Sequence, residues 1–218
     1  MKTSGLFQSY ACFALLTFLS ICPCPATVIT FDDISARAID PPKAITNGYQ
    51  GLNWVNFFVE DVPLEVSSYG TNGYYYGMVS PSNVAFNSFG DPAEIDSSGS
   101  NFNFLSIYLT GAWNSNLNID VQGFSGTNLL YDQTVVVSAT NPTLFTFNYL
   151  DIDRLYFNSF GGQSAGFPGG GGGEQFAMDN LTVEFVPEPS SLLLATGGAL
   201  LLWPLLKRKR MALARRLP

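Results

Sequence analysis

The chain has 218 residues, with 10 Lys or Arg against 17 Asp or Glu, three cysteines and no histidine, for a formal net charge of −7. Without histidine there is no His-ligated zinc and no imidazole base for a Ser or Cys nucleophile. Charge is also unevenly placed: between residues 27 and 186 only Arg37, Lys43 and Arg154 oppose sixteen acidic residues, a net −13 that speaks against nucleic acid and repels acidic polysaccharide at long range.

At the amino end, Lys2 precedes an apolar stretch, 11–21, and then Cys22-Pro23-Cys24-Pro25-Ala26. These are the charged, hydrophobic and small-residue regions of a secretory signal peptide, so residues 1–26 are expected to be removed after Ala26. Leu19-Ser20-Ile21-Cys22 also reads as a degenerate lipobox, against which the bulk of Ile21 speaks. Cys12, Cys22 and Cys24 all fall in this segment. The exported domain is therefore expected to fold without disulfides, on a core that about 160 residues can supply.

From Thr27 onward the pattern is one of strands. Apolar and polar residues alternate through Val28–Ile34, Leu52–Phe58, Phe102–Leu109, Leu117–Val121 and Leu181–Phe185. β-Branched and aromatic residues fill 134–137, 143–147 and 154–157, with Gly, Asn and Ser between runs. No segment reads as a helix. Many short strands spaced by about ten residues predict an all-β sandwich or barrel over residues 27–185.

The carboxyl end carries Pro187-Glu188-Pro189, an uncharged Leu-rich run from Leu192 to Leu206, and Lys207-Arg208-Lys209-Arg210 with Arg215 and Arg216 beyond it. The run is short beside the roughly 17–25 residues of a spanning helix and contains Gly197, Gly198 and Pro204. Its basic flank would remain cytoplasmic, with the preceding domain outside. Triplet, short hydrophobic helix (190–206) and basic tail, in this order at this place, resemble the PEP-CTERM sorting signal, here residues 186–218. The resemblance implies recognition by an exosortase-type membrane enzyme, processing near Pro187, Glu188 and Pro189, and release to the surface or matrix of an exopolysaccharide-making bacterium. A permanent single-span anchor is the alternative.

Three further segments resemble the jelly-roll domain of exported PEP-CTERM proteins, itself similar to carbohydrate-binding modules: Phe31-Asp32-Asp33, the run from Asn47 to Trp54 with Asn56 and Phe57, and Phe176–Leu181. That resemblance implies a single jelly-roll-like β-sandwich.

Candidate chemistry is sparse. Gly162-Gln163-Ser164-Ala165-Gly166 matches a nucleophile elbow, but it lies in a glycine-rich stretch, 161–173, and has no histidine to serve it, so it reads as a loop between strands. The carboxylate pairs Asp151/Asp153 and Glu94/Asp96 could act as acid and base, and they carry the alternative reading of a secreted glycan hydrolase. Oxygen ligands suit calcium better. If the first and last strands pair, as jelly rolls commonly do, Asp32, Asp33 and Asp179 would approach and hold a structural Ca²⁺. For glycans, Tyr74, Tyr75, Tyr76 and Trp113 are the candidate stacking platform, with the tyrosines exposed beside Gly73 and Gly77, whereas Trp54 is expected in the core. The function expected is that of a non-catalytic surface or matrix protein binding exopolysaccharide.

Overall fold

The computed structural model describes residues 25–36, 42–168 and 170–186. The apolar part of the signal segment, the triplet Pro187-Glu188-Pro189 and the hydrophobic run after it lie outside the described residues. Among the described residues, no helix is long and apolar enough to cross a membrane.

The strands are β1 (Thr27–Ile29), β2 (Lys43–Ala44), β3 (Asn53–Val55), β4 (Phe57–Asp61), β5 (Asn83–Asn87), β6 (Ala93–Asp96), β7 (Phe102–Gly111), β8 (Asn114–Ser115), β9 (Leu117–Ser125), β10 (Asn128–Val137), β11 (Thr143–Ile152), β12 (Arg154–Phe160), β13 (Gln163–Ser164) and β14 (Phe176–Phe185). They form an all-β, jelly-roll-like sandwich. One sheet has seven strands in the order β11-β7-β14-β5-β4-β2, with β1 also on β14; the other has five, β10-β9-β12-β6-β3; β13 and β8 make a small ribbon. The predicted pairing of the chain ends is present, antiparallel, with Thr27 opposite Val183 and Ile29 opposite Leu181.

Alternation decides which face is buried. On β9, Leu117, Ile119 and Val121 point inward, and on β12 Leu155 and Phe157 do; all are fully buried. An aromatic chain runs through the core from one end. Phe31 stands edge-on to Trp54 at 5.7 Å, Trp54 edge-on to Phe57 at 5.8 Å, and Phe57 meets Phe157 at 5.7 Å and Phe176 at 6.2 Å. Edge-to-face rings at such separations add to the burial of their area. The residues that carry the jelly-roll resemblance are thus packing residues, and Trp54 is buried as expected, its indole N–H donating to the Tyr49 carbonyl at 3.1 Å.

The run Leu52–Phe58, which reads as one strand, is two. Asn56 takes a left-handed φ of 59°, and there the chain leaves the five-stranded sheet (β3) and enters the seven-stranded one (β4). Asn tolerates that conformation better than most side chains. The first predicted strand likewise stops at Ile29, and Phe31 has φ 64°.

Two helices correct the helix-free reading: α1 (Val62–Tyr69) and α2 (Gly73–Gly77). Both begin on side-chain caps. The Asp61 carboxylate accepts from the Leu64 amide at 3.1 Å, Pro63 sits in the first turn where no amide is needed, and Asn72 accepts from Tyr74 and Tyr75. They cover the outer face of the seven-stranded sheet, where Val62 and Tyr74 pack with Val84, Phe86, Ala112 and Ala177. Close approach needs Gly73, since a Cβ there would lie 1.9 Å from the Gly111 carbonyl oxygen.

Asn87 joins the two sheets. It is fully buried; its Oδ1 accepts from the Phe176 amide at 2.8 Å, and its Nδ2 donates to the Asp91 carbonyl and to Ser159 Oγ, both at 3.0 Å. Removing it strands the buried Phe176 amide and takes a donor from Ser159 Oγ. Asn87→Ala is expected to lower stability by roughly 2–4 kcal/mol in chemical denaturation, with the slope unchanged.

Candidate functional site

Where the inner face of the five-stranded sheet is apolar, its outer face carries polar and aromatic side chains in cross-strand rows. On β12, Arg154, Tyr156, Asn158 and Phe160 point away from the core; on β9, Asn118, Asp120, Gln122 and Phe124 do. Register aligns Gln122 with Tyr156 and Tyr156 with Glu94, Asp120 with Asn158, Asn118 with Phe160, and Phe124 with Arg154. From β10, Asp132, Thr134 and Val136 fall opposite Gln122, Asp120 and Asn118. The helices α1 and α2 lie on the other sheet.

Several polar groups of this face have defined partners. Arg154 Nη1 is 3.5 Å from Glu94 Oε1, and its guanidinium carbon lies 4.2 Å above the Phe124 ring. Asp96 accepts from Asn53 Nδ2 at 3.1 Å. Asp120 accepts from Gln122 Nε2 at 3.0 Å and from Thr134 Oγ1 at 3.3 Å. Burial, and then hydrogen bonding and repulsion by Asp132, push the Asp120 carboxyl above its ordinary range. The Asp120 carboxyl thus holds a proton more readily than an isolated aspartate would. The face offers aromatic surface flanked by fixed donors and acceptors, and this suits reversible binding of a polar ring.

The aromatic platform read from sequence is not assembled. Tyr74 is buried, 5 % exposed, edge-on to Phe86 at 5.2 Å and to Trp113 at 5.8 Å. Tyr75 is exposed, whereas Tyr76 stacks on Phe167 at 6.1 Å. Trp113 is half-buried, and Gly171 lies flat on its ring, where a Cβ would come within 2.2 Å of ring atoms. The glycine-rich stretch is therefore no simple loop: its Gln163–Ser164 strand pairs with β8, and it closes over Trp113 and Tyr76. Among the described residues no helix follows Ser164, so the elbow pattern lacks the helix it requires.

The sequence pattern missed Tyr156 and Phe160 for a definite reason. Along β12 both alternating sets contain aromatics, Tyr156 and Phe160 in one and Phe157 in the other, so periodicity alone does not say which set is inside.

The carboxylates proposed for calcium do not converge either. Asp32 Oδ1 accepts from the Asn83 amide at 3.0 Å, and Asp33 Oδ1 from the Tyr49 hydroxyl at 2.6 Å. Asp179 is fully buried; Oδ2 accepts from the Val79 and Ser80 amides, each at 2.7 Å, Oδ1 from the Asn180 amide at 2.7 Å, and Ser80 Oγ donates at 3.0 Å. These oxygens face N–H and O–H donors, so this donor set does not fit a shared cation. Among the described residues, no three Asp or Glu side chains group to hold a metal.

The pairs considered for acid–base work are likewise taken. Glu94 pairs with Arg154 and Asp96 with Asn53; Asp151 accepts from Asn101 Nδ2 at 2.7 Å and Asp153 from the Gly126 amide at 2.6 Å.

Two acids not picked out from the sequence are also perturbed. Glu60, on β4, and Glu65, on α1, are 8 % and 7 % exposed. Burial, followed by repulsion from Glu65 and Asp61, raises Glu60 to about 8. Glu65 is also raised by burial, against the hydrogen bond from Asn72 Nδ2 at 2.9 Å. A folded-state value above the unfolded one means that the neutral carboxyl stabilises the fold below about pH 4.5, and that this contribution is lost as pH rises through 8. Asp179, raised to about 6 by burial against its hydrogen bonds, acts in the same sense over a lower range. The melting temperature is expected to fall between pH 5 and pH 8.5. Glu60→Gln should flatten that decline and raise the melting temperature at pH 8.5 by several degrees, as differential scanning fluorimetry across pH would show.

No protein-family model matches the chain, and no curated protein is similar to it. Among solved structures it is similar to the CBM22-1–CBM22-2 tandem of Paenibacillus barcinonensis Xyn10C, at 12 % identity and a TM-score of 0.40, over 78 % of this chain and 48 % of that one. The chain thus spans about half of that tandem. It is also similar to the single CBM22-1 xylan-binding domain of the same protein, at 11 % identity and a TM-score of 0.39, over 75 % and 96 % of the two chains. A third is CBM51 from Clostridium perfringens GH95 in complex with methyl-galactose, at 7 % identity and a TM-score of 0.33, over 72 % and 99 %.

Proposed function

We propose that the chain is an exported, non-catalytic surface or matrix protein whose sandwich binds neutral glycans on the outer face of the five-stranded sheet. The observation that carries this reading is the rank Arg154, Tyr156, Asn158 and Phe160 on β12, flanked by Gln122, Asp120 and Glu94 on its neighbours. Four residues of extended strand separate Tyr156 from Phe160 by about 13 Å, room for more than one sugar ring. Aromatic faces stack on the apolar side of a ring while amide and carboxyl groups accept its hydroxyls. The domain's excess of acid, and the acids in this face, favour neutral sugars over uronates or sulfates.

Tyr156→Ala should weaken binding to a neutral polysaccharide by about tenfold, equivalent to roughly 1.4 kcal/mol. Its melting temperature should be unchanged, because the ring lies outside the core. Affinity electrophoresis in gels containing xylan, mannan, galactan or β-glucan measures this. Equal retardation of Tyr156→Ala and the unaltered protein, or retardation only by acidic polysaccharide, would remove the face from consideration.

Export and sorting are part of the proposal and rest on the two terminal segments of the sequence. The signal peptide directs the chain out, and an exosortase-type enzyme processes it near Pro187-Glu188-Pro189. Mass spectrometry of protein from its native host should find an amino end near Thr27 and a carboxyl end close to the triplet. An intact Arg215-Arg216 end at the cell surface would instead establish a permanent anchor.

A further inference from the structure

Phe89 is 86 % exposed and has φ 57° and ψ 5°, a left-handed backbone that is rare for a bulky side chain. A lone exposed aromatic is ordinary on a protein surface. A strained one is not, unless its surroundings impose the strain. Here they do: Asn56 Nδ2 donates to the carbonyls of Ser88, Asp91 and Pro92 at 3.1–3.2 Å, Ser88 N donates to the Asn56 carbonyl at 3.1 Å, and Asn87 Nδ2 also holds the Asp91 carbonyl. The tight turn Ser88–Gly90 thus presents one ring on a fixed base.

That base is continuous with the end of β12. A Cβ on Gly90 would lie 3.2 Å from the Glu174 carbonyl carbon; the Glu174 carbonyl accepts from Ser159 Oγ, and its Oε1 accepts from the Gly161 amide at 2.6 Å. Phe160, 44 % exposed, lies between Ser159 and Gly161. The turn that bears Phe89 and the strand end that bears Phe160 therefore both meet Glu174 through neighbouring residues, and the exposed Asp91 adjoins the turn.

We infer that Phe89 is a further sugar-binding residue, which with Phe160 and Glu174 forms an end subsite that extends the β12 face for longer neutral glycans. This rests on the glycan reading above. A single ring among polar neighbours is far from the roughly 800 Å² per partner of a stable protein interface. It matches the apolar face of one hexose, with the Glu174 and Asp91 carboxylates as acceptors for that sugar's hydroxyls.

The test uses the full-length protein on an array of β-linked gluco-, xylo-, manno- and galacto-oligosaccharides, each as disaccharide and as hexasaccharide. Phe89→Ala should weaken binding of the hexasaccharide by about tenfold, leave the disaccharide unchanged and leave the melting temperature unchanged. Phe89→Tyr, which keeps the ring, should restore the hexasaccharide affinity. Tyr156→Ala should weaken both lengths. If Tyr156→Ala does so and Phe89→Ala changes neither, or weakens both equally, the end subsite is wrong and the glycan face stands. If the unaltered protein binds none of the sugars, both readings fall.

Discussion

The last strand of the sandwich is the piece on which its closure depends. β14 is hydrogen-bonded along one side to β7, and along the other first to β5 and then to β1. The change of partner falls at Asp179 and Asn180, where the ladder is irregular and Asn180 has φ 50°. A break in a buried ladder leaves amides in need of acceptors. The Asp179 side chain supplies them, closing on Val79 and Ser80 in the connection before β5. Asn83, a few residues on, is tied by Asp32 and by the carbonyls of Phe31 and Ile34 at the beginning of the chain. Acidic residues that read as ligands in isolation thus serve as fasteners between distant segments, holding beginning, middle and end together.

The two outer faces of the sandwich have opposite fates. Over the seven-stranded sheet, α1, α2 and the glycine-rich stretch cover an apolar patch, with Glu60 of β4 and Glu65 of α1 buried. Those acids are tolerated by taking up protons more readily than usual, which makes the cover a pH-sensitive part of the fold. Among the described residues the five-stranded sheet has no such cover, and some of its outward side chains satisfy one another in short pairs, Arg154 with Glu94 and Gln122 with Asp120. Rigid strands with paired polar groups hold side chains in place before a ligand arrives, which lowers the entropic cost of binding. On the glycan reading proposed above, this contrast makes the five-stranded face the one for binding and leaves the other to stability.

Much of this protein was determined locally. Strand content follows from period-two alternation, since an extended chain places successive side chains on opposite sides, and long runs such as 102–109 and 117–121 needed only extension at their ends. The helices were legible too, in Asp61 ahead of Pro63 and Glu65 and in Asn72 ahead of the tyrosines, had capping chemistry been weighed above the surrounding β pattern. Pairing of the first and last strands was implied by the jelly-roll resemblance, and the burial of Trp54 followed from its alternating run. Which alternating set of β12 faces water did not, because aromatics stand in both. Nor did the break at Asn56, which depends on two sheets competing for one run, or the covering of Trp113 by a glycine more than fifty residues away. The roles of Asp32, Asp33 and Asp179 were decided only when the fold brought amides and a hydroxyl to them from other parts of the chain. A carboxylate's function depends on which donors meet it, and that is a property of tertiary structure.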